Sequence, residues 1–190
     1  MKLPVLSSLC LAAAASVLLA QEPAPNPPGP GGAPAPGATD KPKPLSSGDK
    51  AALKKMTDTI FFETNLTDKH KNDNAKIEET KKVAGKMNTD LNKIWGELAG
   101  LLDPKEIPTE LSGGDKSKAQ RISKAGDKYD KELLDVLEKE TKQLEKAFDS
   151  ASKSTQTHPT IKDVATKWLP TVREHGEAIA KAAKEAGKQK

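Results

Sequence analysis

IEETKKVAGKMNTDLNKIWGELAGL, residues 77–101, is the stretch whose reading decides the fold. Ile77, Thr80, Val83, Met87, Leu91, Ile94, Leu98 and Leu101 recur at steps of three or four, which sets them on one face of a helix. The pattern stops at Asp103-Pro104, because the residue before a proline is pushed out of the helical region.

Three more stripes of the same kind flank it. One predicted helix runs from about Asp49 to His70, with Leu53, Met56, Ile60 and Leu66 on one face, widened by Phe61 and Phe62. A loop containing Pro108 and Gly113-Gly114 leads into the third, where Tyr129, Leu133, Leu137, Leu144, Ala147 and Phe148 share a side. Its other face pairs Asp135 with Lys139 and Glu138 with Lys142 as a solvated surface. The fourth opens after Pro159, with Thr160 as cap and Asp163 three residues on in the manner of a capping box. Ile161, Val164, Trp168, Val172, Ile179 and Ala182 form its stripe. Pro170 predicts a local kink, since the periodicity resumes beyond it, and Lys181, Lys184 and Lys188 complement the dipole at its end. Four such helices with mostly short links predict an all-α, antiparallel four-helix bundle over residues 47–190.

The segment before the bundle reads differently. Met1-Lys2 gives a positive start, Leu3 to Leu19 an apolar run, and Ala20 a small residue suited to cleavage before Gln21, so residues 1–20 read as a secretory signal peptide. At about 17 residues, interrupted by Pro4, Ser7 and Ser8, the run sits at the bottom of the membrane-spanning range, and no span is expected in the mature chain. Residues 21–46 are dominated by Pro, Ala and Gly; with nothing large and apolar to bury, they are expected to form a disordered, partly polyproline spacer. The single cysteine, Cys10, lies inside the apolar run. The bulky Leu9 before it disfavours a lipidation site, so the mature chain is expected to hold neither disulfide nor thiolate.

Composition points the same way. Charged residues make up 31% and aromatics only 3%, a mix that favours amphipathic helices over sheets. The formal charge of +4 drops by one when Lys2 leaves with the signal, and its signs alternate along the chain, so a nucleic-acid partner is not expected.

No catalytic constellation emerges. A di-iron bundle needs carboxylates and Glu-x-x-His pairs on facing helices, whereas His70, His158 and His175 follow Thr67, Thr155 and Val172 at that spacing. Gly113-Gly114 lacks the rest of a phosphate loop, and no nucleophile elbow is present. His175 stands one turn from Val172 and Ile179, which places it at the core or its margin as a structural histidine. Trp95 and Trp168 border the stripes and read as packing residues.

The phrase Ala165-Thr-Lys-Trp-Leu-Pro-Thr-Val-Arg-Glu-His175, with Val83-Ala84, Met87, Asp90, Glu97-Leu98, Tyr129-Asp130-Lys131, Leu134 and Phe148 in that order, resembles a bacterial family of exported proteins called domain of unknown function 4142. The resemblance covers about residues 50 to 183 and implies a ferritin-like four-helix fold and export. Members commonly carry Asp-His pairs in the second and third helices as well as Glu-His in the fourth. Here the corresponding positions read Asp90-Leu91 and Glu140-Thr141, and only Glu174-His175 keeps its histidine.

These readings converge on an exported, non-enzymatic helical bundle of the periplasm or cell envelope, engaged in protein interaction or a stress response, with another envelope protein as the partner class and no cofactor expected. The alternatives are a degenerate ferritin-like metal binder using His175 with Glu174, Glu140 or Asp90, and a bundle attached to the envelope surface.

Overall fold

The computed structural model of the protein describes residues 44–68 and 73–188. The residues expected to form a signal peptide, Cys10 among them, those of the expected spacer as far as residue 43, and His70 lie outside the described residues. The described residues are all-helical: α1 (Ser47–Leu66), α2 (Glu78–Ala99), α3 (Gly113–Ser123), α4 (Tyr129–Lys153) and α5 (Pro159–Lys188), with one 3-10 turn at Gly126–Lys128.

α1 starts where its cap dictates. Ser46 Oγ accepts the Asp49 N–H at 3.1 Å and the Asp49 carboxylate accepts the Ser46 N–H at 3.1 Å, a complete capping box. The other oxygen of Asp49 accepts the His158 N–H at 2.9 Å, which pins the start of α1 to the start of α5. At the opposite end, Asp130 at the head of α4 accepts the N–H groups of Lys76 and Ile77 at 3.0 and 3.2 Å, tying the chain just ahead of α2 to α4. Asp130 belongs to the Tyr129-Asp130-Lys131 phrase, and this tether is what it does.

These two tethers orient the four long helices. α1 and α5 run one way, α2 and α4 the other, and α1 packs on α2 and α4 while α5 packs on the same two. Each neighbouring pair is therefore antiparallel. The stripes read from the sequence meet in one core: Leu53, Ile60, Leu91, Ile94, Leu133, Leu137, Phe148, Ile161, Val172 and Ile179 are all completely buried. Each such apolar side chain contributes about 1.5–3 kcal/mol relative to exposure.

Because α2 and α4 are parallel across the diagonal, the chain between them must return the full length of the bundle. α3 makes part of that return. It lies antiparallel along α4, tied by Arg121 to Glu132 at 3.3 Å and by Lys118 to Glu140 at 2.8 Å, with Ile122 buried beneath it. The loop expected around Gly113-Gly114 is thus a helix. Ser112 caps it on the Asp115 N–H at 3.1 Å, and a helix that lies on the bundle and buries one side chain shows no apolar stripe. Gly126 follows at φ +54°, a left-handed turn that a residue without Cβ makes freely.

Three smaller expectations are corrected. α1 ends at Leu66, short of His70, with Thr67 as its C-cap. Thr160 does not cap the last helix: proline's fixed φ suits the first helical position, so α5 begins at Pro159 and His158 Nδ1 accepts the Thr160 N–H at 3.3 Å. Asp135 pairs with Lys131 at 2.8 Å, one turn before it, in place of Lys139. Pro170 sits inside an unbroken α5, leaving the Thr166 carbonyl without its usual N–H donor. No described helix is long and apolar enough to cross a membrane.

Candidate functional site

Among the buried polar side chains, His175 and Glu63 stand on two opposite seams of the apolar core. On the α2–α5 seam, His175 is 1% exposed, and its Nε2 lies 3.3 Å from Asp90 Oδ2. Burial holds the imidazole below its ordinary range, overriding the pull of Asp90, so the ring is neutral and donates from a protonated Nε2. Burial raises the Asp90 carboxyl, but the hydrogen bonds from His175 and Lys86 outweigh it and keep the group below the usual carboxylate range. Lys86 Nζ reaches Asp90 and Glu174 at 3.3 Å each, and Lys93 approaches Asp90 at 3.5 Å.

Three of the four residues singled out as metal candidates, Asp90, Glu174 and His175, therefore do come together, around a lysine ammonium. Glu140 does not join them. It stands on the α1–α4 seam and is held by Lys118, which also bonds Asp115 at 3.1 Å. Among the described residues no group of three or more His, Cys, Asp or Glu side chains is placed to hold a metal ion. The Asp90–His175 pair has the form of a base and its orienting carboxylate, but a ring this buried offers a substrate no approach.

The second of these side chains is Glu63 on the α1–α4 seam, which composition and motif reading pass over. Its side chain is 0% exposed. Thr141 Oγ1 donates to Glu63 Oε1 at 2.7 Å, while Oε2 has no hydrogen-bond partner among the described residues. Burial pushes the carboxyl up to about 8; the Thr141 bond opposes this and the nearby Glu140 charge adds to it. Its signal in the sequence was register: Leu53, Met56, Ile60, Glu63 and Thr67 step by three and four, so a carboxylate occupies a core position of α1. Thr141 fills the matching gap between Leu137 and Leu144.

The outer side of α1 and the chain leading into α3 enclose a surface groove of about 680 Å³, with Phe61, Ile107 and Leu111 among charged neighbours such as Lys54, Asp58 and Glu110. Phe61 also stacks on Trp95, with ring centroids 5.5 Å apart. Trp95 and Trp168 pack against the margin of the core, each half-buried, and Lys167 lies 5.0 Å over the Trp168 ring.

The sequence model of a family described as a domain of unknown function, DUF4142, matches residues 34–182. No curated protein and no solved structure shows a significant match.

Proposed function

The chain belongs to the DUF4142 family, and from that premise we propose that it is an exported, non-enzymatic bundle of the periplasm or cell envelope, acting through its surface on another envelope protein. One observation carries this reading: the polar groups that could have formed a reactive centre are already engaged with one another. Asp90 is shared by His175, Lys86 and Lys93, Glu174 bonds Lys86, and Glu140 bonds Lys118. An ammonium between two carboxylates opposes a cation there. The groove beside α1, which sets Phe61, Ile107 and Leu111 among charged side chains, supports the interaction role.

A second reading, the degenerate ferritin-like metal binder, is favoured by topology and by one contact. A single long crossover between the second and third long helices is the connection ferritin-like bundles use, and His175 already touches Asp90. In that reading His175, Asp90 and Glu174 are the ligands, and Lys86 must leave.

The two are separated by elemental analysis of the protein purified from its native envelope without tag or added metal, repeated on His175→Ala, with N-terminal sequencing of the same sample. The expected result is a chain beginning near Gln21 and no stoichiometric metal in either form. Near-stoichiometric iron, zinc or copper that disappears in the variant replaces the first reading with the second. Substrate turnover abolished by His175→Ala would sink the non-enzymatic role outright.

A further inference from the structure

We propose that the Glu63 carboxyl is a proton-binding site that latches the α1–α4 seam, closed while the proton is on and opened by its release. The geometry requires a neutral group. A carboxylate wholly removed from water must be paired or well hydrogen-bonded, yet Glu63 receives one bond, from a neutral hydroxyl, and its Oε2 receives none. The neighbouring hydroxyl of Thr64 is also buried without a partner, so no second donor is supplied from α1.

The charged groups around it offer no compensation. From α4 the facing group is Glu140, of the same sign. From the crossover, Lys118 is committed to Glu140 and Asp115, with its Nζ 5.0 Å above the Phe62 ring. On α2 and α5 the half-buried Asp90 and the buried His175 are turned to each other. Losing the proton therefore leaves a lone negative charge in the core, and the available relief is to part α1 from α4 and admit water. A depression of about 380 Å³ lined by Lys54, Asp58, Thr59, Phe62, Asp115 and Glu140 lies along the outer side of this seam and is where water would enter.

The direction of the effect follows from where the proton sits. Closed, Glu63 holds its proton up to about pH 8; opened, it returns to its ordinary value of 4.5. The closed state thus binds the extra proton across that window, and opening becomes about tenfold more favourable per pH unit through it, levelling off above.

The test is a carbon-detected NMR titration of the glutamate carboxyls in the intact chain, with Glu63 assigned by the signal lost in Glu63→Gln. Amide hydrogen exchange of residues 57–67 and 137–144, corrected for intrinsic base catalysis, is followed alongside. A Glu63 midpoint near 8, with an exchange rise of about tenfold per pH unit that is missing in Glu63→Gln, is the expected result. A midpoint in the ordinary carboxylate range overturns the proton site, and the same pH slope in the variant overturns the latch. Should Glu63→Gln fail to fold, Thr141→Val decides in its place: loss of the bond that favours the carboxylate must move the midpoint further up, and an unmoved midpoint rejects the site.

Discussion

Asp90 on the α2–α5 seam and Glu63 on the α1–α4 seam have met opposite fates. Asp90 is given an imidazole donor and two lysines, so it keeps its charge below the usual carboxylate range. Glu63 is given a threonine hydroxyl and a like charge nearby, so its carboxyl is driven up to about 8. The difference lies in reach. The Asp90 side chain stays 16% exposed at the margin, where lysine ammonium groups follow it from the solvent; Glu63 points to the centre of the bundle, where none can. A bundle core therefore tolerates either an ion network at its edge or a neutral acid at its middle.

The strongest attempt to break this contrast is Glu63→Lys, which places a cation where nothing can pair with it. Destabilisation of about 4 kcal/mol or more is expected in urea unfolding at pH 7. A cost under about 1 kcal/mol would mean that the α1–α4 seam is wet and the comparison void.

His175→Ala comes next, at about 3 kcal/mol, because a fully packed ring leaves a cavity and Asp90 loses a donor. The two seams should also answer pH in opposite senses. His175, held below 6.5, contributes stability that is present above that value and lost as the pH falls. Glu63, held above 4.5, contributes stability that is present in acid and lost as the pH rises to about 8. Unfolding curves from pH 5 to 9 should flatten on the acid side in His175→Ala and on the alkaline side in Glu63→Gln. Parallel curves for the two variants would erase the distinction.

Thr141→Val keeps the shape and removes one buried hydrogen bond, for an expected cost of about 1 kcal/mol above pH 8 that shrinks toward neutral pH. A double-mutant cycle with Glu63→Gln isolates the pair. The smallest effect belongs to Lys86→Ala. Its side chain is 54% exposed, so the loss should stay within about 0.5 kcal/mol and fade with added salt. A larger, salt-insensitive loss would show that the α2–α5 network is drier than its lysines suggest.

Much of this was legible in advance. The stripes of Leu53, Met56 and Ile60, of Val83 to Leu98, of Leu133 to Phe148 and of Ile161 to Ile179 each became a core face. The helix of residues 113–123 was hidden because it buries Ile122 alone, and a capped polar helix leaves no period to read. Of the candidate site, His175 was legible from its turn-spacing to Val172 and Ile179. Asp90, Glu174 and Glu140 came only with the family resemblance, and nothing local said that Glu140 would part from the others to join Lys118.

The sequence by itself determined the helical class and which face of each long helix is buried, because 3.6-residue periodicity is a property of the local backbone. It also held the register that puts Glu63 and Thr141 in the core. Only the tertiary structure decided the path of the chain and the fate of each buried acid. Asp130 ties the head of α4 to the chain ahead of α2 from 54 residues away, and the partners Glu63 with Thr141 and Asp90 with His175 stand 78 and 85 residues apart. No local periodicity spans such distances; packing alone settles which charges find a counter-charge.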